Sequence, residues 1–408
     1  MSDSDFRRFQ KRFFQALRER PLDVSDPKDA ALYEPLHDHA HDPVRRLHDT
    51  IDFSVGASVQ LVAGFRGTGK TTEFSRLEQQ LWAADYLVVR VDLDEYLDLY
   101  SPVEVTDFLL VLSGAISDRL RDKRLLGKKE ALELGFWDRA KELLSGDFSV
   151  DHARLAAGPV ALQLGLKADP TVRQQVREAL RGQIPRLVHE VRTHHEAVLH
   201  KLRQKWGKGA RLVVIVDSLE HIRGTSTDAA AVHTSIQDLF FSHARHLQLP
   251  ATHMVLSVPA FLALQADNLA AQFVNGAVQV WSSCRVRGWD GTPDEGTIAR
   301  LGRLVERRGD WRKVLPDERA LHALILGSGG YLRDLLNMLI EALHLAGDGV
   351  QPDAAQRVLE VIRRSYQPLY ADEVAILRKI AEKRDLGAVR LDERDYLLRF
   401  LDSHLVLA

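Results

Sequence analysis

The octapeptide Gly64-Phe65-Arg66-Gly67-Thr68-Gly69-Lys70-Thr71 constrains this chain more than any other feature. It satisfies the pattern Gly-x4-Gly-Lys-Thr. In that pattern glycines let backbone amides close around a phosphate, the lysine reaches the β- and γ-phosphates, and the threonine hydroxyl ligates Mg2+. Such a loop needs a buried strand before it and a helix N-terminus after it, so that amides and helix dipole face one anion. Both flanks are present: Ser58 to Ala63 is a short apolar run that predicts a strand, and Thr71 to Ala84 predicts a helix. The phosphate-binding set is therefore Gly64, Arg66, Gly67, Thr68, Gly69, Lys70, Thr71 and Thr72.

Four more apolar runs predict strands: Tyr86 to Asp92, Arg211 to Val216, His253 to Ser257 and Ala277 to Trp281. Near-continuous apolar strands alternating with helical segments are what a buried parallel sheet requires, so the fold class is α/β. The spacing is unequal, because about 120 residues separate the second strand from the third. Most of that interval reads as helix, with one long periodic stretch from Thr171 to Lys205; Val160, Leu162, Leu164 and Leu166 alternate like a strand. At the start, Asp5 to Arg20 predicts an amphipathic helix with Phe6, Phe9, Phe13, Phe14 and Leu17 on or near one face. The polar connector Pro21 to Asp42 carries His37, His39 and His41; imidazoles can bind a metal, but no strand pattern aims them together, and the segment reads as a solvated loop. Asp42 and Pro43 then supply an N-cap and a first helical residue for a helix through Ile51. After Gly291 six helical segments follow: Asp294 to Arg308, Asp317 to Leu326, Tyr331 to Ala346, Pro352 to Ser365, Asp372 to Lys383 and Asp392 to Asp402.

A phosphate loop needs an acid at the end of a neighbouring buried strand to hold magnesium, and Asp217 ends the run Leu212 to Val216. With Thr71 it completes the predicted metal ligands. Glu220 follows three residues later, where it can polarise an attacking water or simply open the next helix, which favours a carboxylate.

The two motifs, the strand His253 to Ser257 with Val258 and Pro259, and the segment Gly329-Gly330-Tyr331-Leu332-Arg333 together resemble an AAA+ ATPase module, in the wide sense that takes in STAND-type signalling NTPases and replication-initiator-like ATPases. The resemblance covers roughly residues 40 to 346. It implies a parallel five-stranded sheet with helices on both faces. It also implies γ-phosphate sensing by Ser257, a lid arginine at Arg333, and an adenine pocket beside Pro43 and Val44. The domains expected are an N-terminal arm over 1–41, the ATPase domain over 42–290 with a helical insertion at 119–208, a helical lid over 291–347, and a winged-helix-like unit over 348–408 whose one wing strand is His404 to Ala408. Two departures matter. Ala260 to Ala277 holds no arginine where ring-forming members carry a finger, leaving Arg245, Arg285 and Arg287 as substitutes. The acid stands three residues after Asp217 instead of next to it, which is closer to the signalling and initiator-like branch and to a slow switch than to a processive motor.

Charge bears on partners. The 408 residues carry a net charge of -2, which excludes a uniformly basic nucleic-acid coat, but residues 119–208 hold 19 Lys/Arg against 11 Asp/Glu, a local +8. A single cysteine, Cys284, excludes an intrachain disulfide, and no apolar run approaches the ~20 residues of a membrane span, so a cytoplasmic protein is expected. Three functions fit. The leading one is a slow ATP-hydrolysing switch that self-associates and controls a separate effector protein, as conflict and antiphage systems of this resemblance do. The alternative is a DNA-dependent ATPase of the initiator or transposition-regulator type, using the basic insertion. The third is a scaffold that binds ATP or ADP without turnover.

Overall fold

A computed structural model of the protein describes residues 3–145, 165–222, 229–390 and 393–406. The chain forms two compact units, one built from Arg45–Gly64 and Leu77–Val280, the other from Met1–Val44, Phe65–Arg76 and Trp281–Ala408. None of the described helices is long and apolar enough to cross a membrane.

The first unit holds the sheet. Its strands are β1 (Ser58–Ala63), β2 (Tyr86–Asp92), β3 (Arg211–Asp217), β4 (Thr252–Val258) and β5 (Ala277–Val280). All pairings are parallel, in the order β2-β3-β4-β1-β5. Every residue of β1 and β4 is buried, as is every residue of β3 after Arg211. That is why these segments read as near-continuous apolar runs, not as alternating ones. The polar exceptions have partners: Ser58 Oγ lies 2.9 Å from His253 Nδ1, and Gln60 Nε2 donates to Asn275 O at 3.0 Å. The five expected strands coincide with the observed ones to within a residue at each end.

Helix Val105–Arg119 is buried at each position from Val105 to Ser117, mostly apolar on every face as a helix inside a core must be, and it packs on β2 and on helix Ile184–Trp206. The single periodic stretch expected from Thr171 to Lys205 is two helices, Pro170–Leu180 and Ile184–Trp206. The break falls at Gly182, whose φ of +75° is open to glycine and strained for a side chain. Of the alternating residues, Val160, Leu162 and Leu164 lie outside the described residues, and Leu166 is buried in a helical turn over 165–168.

In the second unit helix Asp3–Leu17 sinks Phe13 and Leu17 into a core shared with helices Glu295–Arg308, Glu318–Gly327, Leu332–Leu345 and Ala354–Ser365. Phe6 and Phe9 pack at its edge, which accounts for the phenylalanine spacing. Asp294 accepts from Thr297 N at 2.8 Å and Asp317 from Ala320 N at 2.9 Å, so both helices start one residue after the acids that signalled them. Two expectations need correction. The connector contains a helix, Pro27–Leu32, because Asp26 accepts from Lys28 N and Pro27 presets the first turn, the same Asp-Pro device as at Asp42-Pro43. The expected wing strand does not form over 404–406, and residues 407–408 lie outside the described residues. There His404 N and Val406 N turn back onto the carbonyls of Leu401 and Phe400, where a strand would offer them to a neighbour.

Candidate functional site

The predicted site residues fall into two groups. The loop group, from Phe65 onward, sits in the second unit. Gly67 and Gly69 have φ of +83° and +92°, the left-handed backbone that lets a loop fold its amides inward, and helix Lys70–Ala83 follows at once. Lys70, only 3% exposed, donates its ammonium to Phe65 O at 2.5 Å, and Thr68 Oγ1 donates to the same carbonyl at 3.0 Å. The loop thus folds back on itself with its cation at the centre. The Thr72 hydroxyl accepts from Leu22 N at 3.0 Å, Ser75 Oγ accepts from Val24 N at 3.3 Å, and Tyr33 donates to Glu73 Oε1 at 3.0 Å. Arg76 pairs with Asp42 and, at 2.9 Å, with Glu73. Burial raises the Glu73 carboxyl against the pull of Arg76 and the Tyr33 hydrogen bond. The N-terminal connector is in this way clipped along the helix that leaves the phosphate loop.

Two residues at the start of helix Leu332–Leu345 reach the same loop. Tyr331 donates its hydroxyl to Arg66 O. A Cβ on Gly67 would lie 2.7 Å from Arg333 Nε and 2.8 Å from the Tyr331 hydroxyl, so the glycine is what allows Arg333 to approach the loop this closely. Arg333 Nε is buried and lacks a hydrogen-bond partner, while its Nη2 pairs with Glu19. Burial opposes the guanidinium charge, and Glu19 together with Tyr331 and Asp334 more than offsets it, leaving the Arg333 pKa raised. Burial likewise pushes the Tyr331 phenol up, which keeps it a donor. His404 stacks on Tyr331 with ring centroids 4.6 Å apart. Sequence reasoning found Arg333 but gave no role to Tyr331, which stands two residues away in the same motif, or to Glu19, whose place just past the end of helix Asp3–Leu17 belongs to no motif. Of the adenine candidates, Val44 is fully buried and Pro43 is half-buried; Val44 N is held by Asp42 Oδ1 at 3.0 Å.

The second group belongs to the sheet unit and gathers at the C-terminal ends of its strands. Asp217, 1% exposed, closes β3, and its Oδ1 accepts from Ser218 N at 2.8 Å. Ser218 takes a left-handed φ of +73°, turning the chain so that Leu219 N donates to Ser257 Oγ at 3.1 Å. Ser257 is fully buried on β4, and Glu220 follows with its side chain 3% exposed. Asp217, Glu220 and Ser257 are therefore brought together, with Ser257 fixing the turn that carries Glu220. The donors predicted for magnesium, the Thr71 hydroxyl and the Asp217 carboxylate, are hard oxygen ligands of the type that ion takes alongside phosphate oxygens. Among the described residues no group of three His, Cys, Asp or Glu is placed to hold a metal, the connector histidines included. Of the substitute arginines, Arg285 stacks 4.0 Å over Trp289 and Arg287 donates to Gly291 O at 3.0 Å.

No protein-family model matches the chain, and no curated protein does. The chain is similar to the solved structure of the Aeropyrum pernix ORC2 protein in its ADP form, at 14% identity over 96% of this chain and 84% of that one, with a TM-score of 0.44. It is also similar to the Aeropyrum pernix ORC1 protein in complex with DNA (16% identity, 88% and 77% covered, TM-score 0.38) and to Cdc6p from Pyrobaculum aerophilum (12% identity, 92% and 89% covered, TM-score 0.37). Likeness at that level carries no argument about function, which rests on the chain's own loop, strand ends and lid.

Proposed function

We propose that the chain is an ATP-binding switch of the AAA+ kind that hydrolyses ATP slowly. The observation that supports this most is the seat of Arg333 and Tyr331 on Arg66 and Gly67: a lid that touches a phosphate loop this closely responds to what the loop holds. In this reading the amides of Gly64, Arg66, Gly67, Thr68 and Gly69 and the Lys70 ammonium hold the phosphates, with Thr71 and Thr72 at the helix start. By their places in the two sequence motifs, Thr71 and Asp217 would hold a magnesium ion, which when bound would neutralise phosphate charge. Glu220 orients and deprotonates the attacking water, Ser257 holds the turn bearing Glu220, and Arg333 reads the terminal phosphate from the lid. Pro43 and Val44 flank the base. The difference in lid contacts between ATP and ADP then biases two arrangements of the chain, which is all that control of assembly needs.

Binding of a fluorescent ATP analogue and phosphate release, compared across wild type, Lys70→Ala and Glu220→Gln, test the reading. Lys70→Ala is expected to abolish binding, and Glu220→Gln to keep it while losing turnover. A wild type that binds no ATP sinks the proposal. Binding without turnover in wild type leaves the scaffold function, and a Glu220→Gln variant as fast as wild type removes the base assignment.

Two outputs fit the switch: control of an effector through self-association, including in antiphage defence, and action on duplex DNA through residues 119–208. The net +8 of that interval is the feature that favours DNA. Duplex affinity that falls steeply with salt, together with DNA-stimulated turnover, selects the DNA-dependent ATPase. ATP-dependent change of mass without DNA affinity selects the effector switch.

A further inference from the structure

We infer that Glu19 is a positioning residue that seats Arg333 on the phosphate loop and so sets the preference of the site for ATP over ADP; the inference rests on the nucleotide-binding reading above. The geometry is one of division of labour within a guanidinium. Arg333 Nη2 is held by the Glu19 carboxylate, and Arg333 Nε, buried and without a partner, faces Gly67. A guanidinium carries five donors in a fixed plane, so pinning one of them aims the others. Without the pin, a long arginine side chain has many rotamers to lose when it meets a phosphate.

Glu19 is itself fixed from both sides. Two residues before it, Leu17 is fully buried in the core. One residue after it, Arg20 forms two hydrogen bonds to Asp29, at 2.7 and 2.5 Å, and Leu22 N then donates to Thr72 Oγ1 in the first turn after the loop. The carboxylate therefore comes from a backbone tied to the core on one side and to the phosphate-loop helix on the other. Its side chain is 46% exposed, so replacing it opens no cavity. The role is selective because Arg333 adds to binding only where a phosphate reaches it, and ATP extends one phosphate further than ADP.

The test is titration calorimetry with a non-hydrolysable ATP analogue and with ADP on wild type, Glu19→Gln, Arg333→Gln and the double variant, with Lys70→Ala as the control for the loop. Glu19→Gln is expected to weaken the ATP analogue about five- to tenfold and ADP less than about twofold, with no further loss once Arg333 is already Gln. That non-additivity separates positioning through Arg333 from a general effect on folding. An unchanged ATP-to-ADP ratio, tighter ATP binding, or an equal loss in the Arg333→Gln background overturns the inference. If wild type binds and Lys70→Ala does not, such a result removes the role of Glu19 alone; if wild type binds neither nucleotide, the nucleotide reading falls first and takes this one with it.

Discussion

Gly67 and Gly69 offer a controlled perturbation of the loop. Both hold left-handed φ angles, so an alanine at either position costs about 1–2 kcal/mol of backbone strain. Only at Gly67 does the new Cβ meet something: Arg333 Nε at 2.7 Å and the Tyr331 hydroxyl at 2.8 Å, against nothing within 4 Å at Gly69. Contacts that short force the lid residues away and break the Tyr331 bond to Arg66 O, a further loss of about 1 kcal/mol. The extra term is local to the lid. The amide of Leu335 bonds to Tyr331 O at 3.1 Å, so native-state hydrogen exchange at Leu335 and Leu336 reports the release of Tyr331. Gly67→Ala is expected to speed exchange there by roughly fivefold to tenfold, since about 1.4 kcal/mol is a factor of ten, and Gly69→Ala to leave it unchanged. Acceleration of the same size in both variants, or in neither, would show that Tyr331 and Arg333 do not rest on the loop through Gly67.

Three other outcomes follow from groups away from the loop. Arg177→Met strands the Asp107 carboxylate, which is 1% exposed and takes Arg177 Nε at 2.9 Å; denaturant unfolding should show a loss of about 3 kcal/mol, part of it recovered by adding Asp107→Asn. His194 and His195 are held neutral, chiefly by burial, with pKa values lowered to about 3 and about 4, so the unfolded chain binds more protons than the folded one below the ordinary value of 6.5. Their contribution is complete above pH 6.5 and is lost as pH falls, toward about 4 for His195 and about 3 for His194. A slope of up to about 1.4 kcal/mol per pH unit for each is expected, and it should shrink by one proton in His195→Gln. Burial pushes the Cys284 thiol up to about 12, so a disulfide reagent at pH 8 should leave it unmodified until the chain unfolds; rapid labelling of the native protein would contradict its packing.

The legible parts of this molecule are those whose physics is local. A strand buried on both faces must be largely apolar, with each polar residue given a partner, and β1, β3 and β4 were legible for that reason. A phosphate loop is a local backbone device with a fixed residue code, so Gly67, Gly69 and Lys70 were readable as a set. The helix Pro27–Leu32 was also locally coded, by Asp26 and Pro27, but polar composition around it masked the signal. The break at Gly182 was hidden because apolar periodicity carries across a turn that keeps two helices on one core. What no window of sequence holds is the pairing of distant residues. Glu19 meets Arg333 because the core brings helix Asp3–Leu17 and helix Leu332–Leu345 together, Tyr331 meets Arg66 across 265 residues of sequence, and nothing in the neighbourhood of Glu19 distinguishes it from any other solvated carboxylate.

The charge of the insertion shows the same limit from the other side. Counted along the chain, residues 119–208 carry +8, but the count stops at a boundary that the fold ignores. Arg119 pairs with Glu95 at 2.8 Å, Arg173 with Asp98 at 3.1 Å, and Arg177 with Glu104 at 3.4 Å and with Asp107, four acids that lie just before the interval. Arg173 is 7% exposed at its side chain, so its charge is spent inside the unit and cannot track a polymer. Lys201 and Lys205 meet Glu133 and Glu130 within the interval. Protein cations that neutralise phosphates release the counterions condensed on the nucleic acid, and a cation already facing a carboxylate neutralises less phosphate charge and releases fewer. The field of the insertion is therefore weaker than its composition, and the part of the charge left to meet a partner comes from solvated lysines and arginines interleaved with acids along helices. That arrangement matches the acidic and basic patches of a second protein surface as readily as it matches a duplex, which is why salt dependence, and not charge count, separates the two outputs.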